Sequence, residues 1–382
     1  MKYATILTDR QTDRQTDRQT DADSLITRRE RNTNFEWLRI LAMIMIIFHH
    51  YCVHGQIDLT EMGFINKAIY YFFSSYGKLG VVIFVMLAGY FSCTSKFNLK
   101  RLMFLWLEVF FYSVLWYVVS CFIGIETFQI KKLLISFSVL LSSKYWFFTC
   151  YIALSIISPL LNIIIKNTTQ KQHFIICIVG GLVYSFIASV RYGFLYGNEL
   201  ITFIYLYMVA AYIRLYDGKH SLRFDIVGLI VVFIAEWCIR LFNKYIQLPL
   251  SFSTFAIHST TTLFIGVFLI SICKKIKPHY SKFINYVAAS TFGVYLIHDS
   301  MYRKVLWVDI FNNSAYAQKS FYLFALHMLI TVIIVFISCV IIDIIRRELL
   351  EKQLSKLYDF CYQKIIKSKI HDAVKTLLDK LI

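Results

Sequence analysis

The sequence has very little proline and no paired cysteine motif. Proline occurs 3 times among 382 residues, and none of the 9 cysteines belongs to a Cys-x-x-Cys pair. Without such pairs neither a zinc knuckle nor a disulfide framework is indicated, and buried free thiols are expected. The chain is instead rich in apolar residues: 58% are hydrophobic, 17% are aromatic, and the mean hydropathy is +0.59. This composition excludes a soluble globular domain and predicts an integral membrane protein.

Apolar segments long enough to cross a bilayer recur along the chain, each bounded by charged residues or polar turns. We predict an all-α, polytopic helix bundle with about ten transmembrane helices. The stretch 131–142 is too short to cross comfortably and is predicted to be a half-helix or an interfacial segment. The predicted spans are residues 35–55, 68–92, 102–124, 145–165, 173–190, 199–216, 225–241, 253–273, 283–300 and 320–345.

Lysine and arginine near the ends of the spans indicate the orientation. An even number of spans places both termini on one side, and that side carries basic clusters at 28–31, 96–101, 274–277 and 346–347. We therefore predict that both termini are cytoplasmic. The net charge of +17 then reflects topology and contact with lipid headgroups. Nucleic acid is not an expected partner, because no soluble basic domain is present to bind it.

Two polar segments flank the predicted membrane domain of residues 34–345. Residues 1–33 are polar and of low complexity, so we expect them to be disordered. Residues 346–382 alternate charged and apolar side chains, which predicts a basic amphipathic helix on the cytoplasmic surface.

The first flank repeats Thr-Asp-Arg-Gln from Thr8 to Asp21. The tetranucleotide ACAG in tandem is translated as this peptide repeat. A tetranucleotide tract inside a reading frame shifts the frame whenever replication adds or removes one unit. We interpret the tract as a phase-variation switch of expression with no structural role. The alternatives are a neutral repeat and a misassigned start codon.

The first span, 34–55, contains ionisable side chains at membrane depth, with Arg39 near one end and His49, His50 and His54 near the other. Such groups are costly in lipid, so they usually face a protein interior or a wet cavity and mark a functional site. At about 100° per residue, the eleven positions from Arg39 to His50 return to within about 20° of the same helix face. The two residues are then about 16 Å apart along the axis. His49 falls about 80° away and is expected to be a packing residue or one that supports the site without touching substrate.

Several motifs resemble those of the membrane acyltransferase-3 family, whose bacterial members transfer acetyl or other short acyl groups to cell-surface sugars. The most specific element is an acidic residue, an arginine three positions later, and a histidine eleven positions after that, here Glu36, Arg39 and His50. The resemblance extends from Asn34 to Ile345. The other matching stretches are the glycine-rich Gly77–Phe91, the basic pair Lys100 and Arg101, the segment Tyr145–Asn162, and Ser290–His298.

The third helix departs from the family pattern. Many members carry a proline soon after the basic pair, whereas this chain continues without one and has Glu108 in the helix. The resemblance therefore does not fix the geometry of this helix.

The resemblance implies a membrane O-acyltransferase of the bacterial inner membrane. It implies transfer of an acetyl or other short acyl group from cytoplasmic acyl-CoA to a hydroxyl of a surface glycan such as lipooligosaccharide. Acetyl-CoA is expected as a co-substrate, with no permanently bound cofactor and no metal. Arg39, Lys100 and Arg101 are expected to bind its phosphates where cations meet the inner surface. Further expected partners are a glycan or lipid-linked saccharide acceptor, membrane lipids, and periplasmic or glycan-assembly proteins.

His50 is the expected general base, because imidazole exchanges a proton most readily near neutral pH. Glu36 completes the predicted catalytic set, since it lies one turn before Arg39 and can hold the guanidinium in place. His298 and Asp299 end a later span together. They are either acceptor-binding residues or a hydrogen-bonded pair at the outer surface.

Two other classes of function stay open. A transporter or flippase for a lipid-linked saccharide would use the buried arginine and histidine for substrate passage or proton coupling. Against it, the two halves of the sequence show no internal repeat. A non-catalytic assembly partner of another glycan enzyme is the third class. Consumption of the acyl-CoA thioester distinguishes the acyltransferase from the flippase.

Overall fold

The computed structural model describes residues 31–139, 145–190, 199–216, 220–246 and 256–366. Over these ranges the chain is helical and forms no strand, which confirms the predicted all-α fold. The predicted disorder of residues 1–33 falls almost entirely outside the described residues. The last part of the predicted C-terminal helix, after residue 366, also lies outside them.

Helices follow one another with short connections. The earlier ones are α1 (Thr33–His54), α2 (Phe64–Ser75), α3 (Gly77–Ser92), α4 (Leu99–Phe122), α5 (Ile130–Phe137), α6 (Trp146–Asn167), α7 (Gln170–Gly181) and α8 (Glu199–Tyr216). The later ones are α9 (Leu222–Ile246), α10 (Thr260–Lys275), α11 (Lys282–Ala288), α12 (Thr291–His298), α13 (Asn313–Ala317), α14 (Phe321–Arg346) and α15 (Lys352–Ile366). Short π-helical segments lie at Leu182–Ile187, Val305–Ile310 and Arg347–Glu351.

Six helical segments of the described chain are long and apolar enough to cross a membrane, and they begin at Thr33, Phe64, Leu99, Trp146, Glu199 and Phe321. This agrees with a polytopic membrane protein. The predicted spans 253–273 and 283–300 coincide with shorter helices, namely α10 and the pair α11 and α12. The total of about ten spans and the cytoplasmic side of the termini therefore stay predictions. The stretch 131–142, predicted to be a half-helix or an interfacial segment, overlaps the 8-residue α5, and its residues 140–142 lie outside the described chain.

Helix α3 lies at the centre of the bundle and packs against α1, α8 and α10. Glycines let the helix axes approach closely. A Cβ atom at Gly80 would lie 2.6 Å from the carbonyl oxygen of Ala42 on α1, and one at Gly89 would lie 2.8 Å from the Tyr207 backbone on α8. Because α3 packs closely against α1 and α8, its position in the bundle is fixed. It forms one wall of the site.

Hydrogen bonds join the start of α1 to α11 and to the connection between α10 and α11. Asn32 caps the helix, because its side chain accepts a hydrogen bond from the Asn34 backbone N–H at 3.1 Å. The Asn34 amide donates to the carbonyl oxygen of Ile276 at 3.2 Å, and the Thr33 hydroxyl donates to the Asn285 side chain at 2.8 Å. These bonds set the rotation of α1, and with it the face that carries Arg39.

Candidate active site

A cavity of about 630 Å³ lies between α1, α3, α4, α6, α12 and α14. It has two chemically different parts. The basic end is lined by Arg31, Arg39, Arg101 and Arg347, and the histidine end by His50, Lys78, Trp146 and Asp299. Arginine and histidine residues that are remote in sequence therefore face one space.

The basic end concentrates positive charge. The Arg31 side chain stays in contact with solvent. Even so, the surrounding protein removes part of its hydration, and this lowers the pKa of the guanidinium. Repulsion from Arg39, Arg101 and Arg347 lowers this pKa further, and Glu36 acts in the opposite direction. Mutual repulsion of this kind is relieved when an anion binds between the guanidinium groups, and phosphate oxygens suit their forked donors.

Arg39 is held in one orientation by neighbours on two helices. It forms an ion pair with Glu36, which is buried, and its guanidinium lies over the Phe91 ring at 5.4 Å. The contact that the sequence predicts between Glu36 and Arg39 is thus present. The second carboxylate oxygen of Glu36 is buried and has no hydrogen-bond partner within the described chain. Any catalytic role of Glu36 stays a prediction.

The predicted basic pair divides between two surroundings. Arg101 lines the cavity, and its backbone N–H donates to the capping side chain of Asn98 at 2.9 Å. Lys100 does not line the cavity and instead donates to Asp359 of α15 at 2.7 Å. Because both partners of this pair are exposed, Lys100 belongs to the outer surface of the basic end.

His50 contacts a second histidine across the helix interface. Its Nδ1 atom lies 2.9 Å from Nε2 of His298 on α12. The Nδ1 atom of His298 lies 2.6 Å from the carbonyl oxygen of Val294 one turn earlier. The sequence predicts both histidines as site residues but does not predict their contact, because 248 positions separate them.

This pair of contacts assigns the protons. A carbonyl oxygen only accepts, so Nδ1 of His298 must carry the hydrogen, and in the neutral ring its Nε2 is then an acceptor. Nδ1 of His50 therefore donates to His298, and the lone pair of His50 lies on Nε2. A neutral His50 in this tautomer is a base, with its free nitrogen at the other side of the ring from His298.

Other polar groups surround His50 at the histidine end. Arg303 donates to Asp299 at 3.0 Å, and Nε2 of His54 lies 3.7 Å from the same carboxylate oxygen. Lys78 lies over the Trp146 ring at 4.8 Å. The Tyr295 hydroxyl is buried at the cavity wall without a hydrogen-bond partner among the described residues.

His49 packs tightly, although it also lines part of the cavity. A Cβ atom at Gly77 would lie 2.3 Å from its ring, and its Nδ1 atom bonds to the backbone oxygen of Ser74. These contacts agree with the packing role expected for His49.

The departure at Glu108 is accommodated by a partly buried ion pair. Helix α4 runs unbroken from Leu99 to Phe122, and Glu108 lies 3.0 Å from the guanidinium of Arg346. Arg346 also donates to Asp343 at 2.8 Å, and Tyr112 donates to that carboxylate at 2.9 Å. The network joins α4 to α14 beside the cavity.

In the sequence, the basic clusters at 28–31 and 346–347 indicate topology only. In the structure Arg31, Arg346 and Arg347 line the cavity, and Arg347 donates to Ser290 at 3.1 Å. The available signal was their predicted location on the same side of the membrane as Arg39. Lys78 had a weaker signal, since it lies within the glycine-rich motif as a charge in an apolar helix.

Comparison with protein families adds an independent finding. A family model described as an acyltransferase domain matches residues 32–344. Comparison with curated proteins and with solved structures gave no significant match. The family match covers most of the chain and all of the cavity except a few residues at its basic end. The chain therefore belongs to the acyltransferase-3 family of membrane acyltransferases.

Proposed function

We propose that the protein is an O-acyltransferase of the bacterial inner membrane that moves an acetyl or other short acyl group from acyl-CoA to a hydroxyl of a surface glycan such as lipooligosaccharide. One observation carries this proposal. The same cavity has arginines at one end and, at the other, a histidine with its lone pair on Nε2. Along α1 these ends are about 16 Å apart.

The basic end suits the phosphates of acyl-CoA. Arg39 and Arg101, two of the predicted phosphate-binding residues, line it, and Arg31 and Arg347 add two further guanidinium groups. The long and thin pantetheine arm then extends through the cavity towards His50. Lys100 stays in the proposal as a residue of the surrounding basic surface, with a smaller effect because it is paired with Asp359.

The reaction needs one proton transfer and no covalent enzyme intermediate. Nε2 of His50 removes the proton from the acceptor hydroxyl while the oxygen attacks the thioester carbon, so that a C–O bond forms and the C–S bond breaks. The thiolate of coenzyme A leaves and takes the proton from the imidazolium. His298 keeps its hydrogen bond to Nδ1 of His50 throughout, which stabilises the imidazolium that forms.

Two donors are available for the charge that develops on the thioester oxygen. The Tyr295 hydroxyl has no partner in the described chain, and the Lys78 ammonium lies at the same end of the cavity. Donors already oriented towards a developing oxyanion lower the barrier more than donors that must first reorient.

The roles of His298 and Asp299 separate in this proposal. Both ring nitrogens of His298 are engaged, one with His50 and one with Val294. We therefore assign His298 as a positioning residue, whereas Asp299 lines the cavity and is the better candidate for contact with the acceptor sugar.

The experiment is mass spectrometry of surface glycan from cells that carry the wild-type gene, no gene, or the His50→Ala variant at equal membrane levels. An added acyl mass should appear only with the wild-type gene. Purified wild-type protein should also consume the acyl-CoA thioester when acceptor is present. Unchanged glycan and an intact thioester would rule out the acyltransferase and favour the flippase.

We further propose that expression is phase-variable, on the basis of the repeat from Thr8 to Asp21. Sequencing the tract from many single colonies should give different numbers of ACAG units, and only in-frame tracts should accompany acylated glycan. A tract of constant length, or codons that do not spell ACAG, would contradict this.

A further inference from the structure

Three side chains that can bind a metal ion meet beside the cavity. His50 and His54 lie four residues apart on one face of α1, and Asp299 follows α12. One donor atom from each lies within 4.8 Å of the others. The two histidines are half-buried and Asp299 is buried, so the group is partly shielded but still reachable.

The donor set suits a divalent transition-metal ion such as zinc. Two imidazole nitrogens and one carboxylate oxygen are ligands that Zn²⁺ accepts, and three protein ligands leave a fourth position open. Ligands 2.0–2.1 Å from a tetrahedral ion lie about 3.3 Å apart. His54 and Asp299 are already 3.7 Å apart, so small side-chain rotations are enough to complete the set.

We propose that His50, His54 and Asp299 form an inhibitory Zn²⁺ site. The hydrogen bond from Nδ1 of His50 to His298 leaves Nε2 as the nitrogen available for the ion. That nitrogen is also the proposed base, so bound zinc and acyl transfer exclude one another. Binding of the metal is independent of the reaction, whereas inhibition rests on the proposed function.

Two cations oppose metal binding. Arg303 donates to Asp299 at 3.0 Å, and the side chain of Arg303 is 46% exposed. Lys78 interacts electrostatically with the same carboxylate. An exposed arginine can turn towards water when the ion arrives, because its ion pair is weak. Removing the charge of Arg303 should therefore strengthen zinc binding.

Zinc binding is tested on purified full-length protein that has been treated with EDTA and titrated with zinc chloride against a competing zinc indicator. The wild type should bind one ion, and His54→Ala should bind it at least about tenfold more weakly. Arg303→Gln should bind it more tightly. The matched control is His220→Ala, a histidine that contacts Asp225 away from the cavity, and it should bind as the wild type does.

Acyl transfer is then measured with and without zinc. Zinc should inhibit the wild type and the His220→Ala variant, while His54→Ala should keep its basal activity and lose the inhibition. No zinc binding, or equal binding by wild type and His54→Ala, overturns the site even if the enzyme is active. Zinc binding by a protein that never consumes acyl-CoA supports the site and rejects the proposed function.

Discussion

At the residue scale, two adjacent histidines of α1 have different surroundings. His50 contacts His298 through one nitrogen and has its lone pair on the other, whereas His49 packs against Gly77 and forms a hydrogen bond with the Ser74 backbone. Adjacent positions on a helix point about 100° apart. A substitution at His50 therefore removes a contact with α12, whereas a substitution at His49 removes a contact with α3.

Replacing His50 by alanine removes the proposed base. Acyl transfer should fall by about 10²–10⁴-fold, the usual cost of losing a general base, while the protein still inserts into the membrane. His49→Ala should retain most of the activity. Both variants are compared by the acylated fraction of the glycan, with immunoblots of membrane fractions as the control for insertion. An inactive His49→Ala beside an active His50→Ala would contradict the proposed site.

His298 offers a test of positioning. His298→Ala should lower kcat and leave the KM for acyl-CoA nearly unchanged, because the residue fixes the tautomer of His50 and does not line the basic end. His298→Gln should recover part of kcat, since an amide oxygen can still accept the proton of Nδ1. Steady-state kinetics separate the two constants. A change confined to KM would show that His298 contacts substrate instead.

Arg39 and Lys100 form a matched pair of cations with different surroundings. Arg39→Ala should raise the KM for acyl-CoA about 10- to 100-fold, because a hydrogen bond to a charged group contributes about 1.5–3 kcal/mol. Arg39→Lys should recover only part of the loss, since an ammonium lacks the forked geometry. Lys100→Ala should change KM little, because Lys100 is exposed and paired with Asp359. Equal effects at both positions would reject the assignment of the basic end.

At the element scale, the contacts of α1 and α3 explain what the sequence can and cannot predict. The periodicity of α1 places Arg39 and His50 on one face, and both line the cavity. The contact of His50 with His298 depends on how helices distant in sequence pack together, so local periodicity does not contain it. The same reason hides the pairing of Lys100 with Asp359 and the part that Arg347 takes in the basic end.

Gly80 of α3, which packs against α1, gives a prediction about stability. Gly80→Val should destabilise the protein by about 1–3 kcal/mol, a usual cost of overpacking, because its Cβ atom would lie 2.6 Å from the Ala42 carbonyl oxygen. Gly63→Val is the control, since a Cβ atom there meets nothing within 4 Å. Thermal unfolding in detergent compares the two variants. Equal melting temperatures would show that α1 and α3 do not pack as closely as described.

At the scale of the whole molecule, the orientation of the chain in the membrane decides which compartment supplies each substrate. Reporter fusions after Arg31 and after Arg347 should both report cytoplasm, because the basic clusters at 28–31, 274–277 and 346–347 are predicted to lie on that side. A reporter that is inactive outside the cytoplasm gives the measurement. One terminus on the far side would contradict the even number of spans and the proposed cytoplasmic entry of acyl-CoA.

The charge of the basic end has a consequence for the membrane itself. A wet cavity that penetrates towards the middle of a bilayer shortens the insulating layer, and protons driven by the membrane potential would be expected to leak through it. The arginines that line the cavity outnumber its glutamates, Glu36, Glu108 and Glu351. The potential at the basic end is therefore expected to be positive and to repel protons and other cations, as positive groups do in pores that exclude them. The arginines proposed to attract phosphate are therefore also expected to limit proton leakage through that end of the cavity.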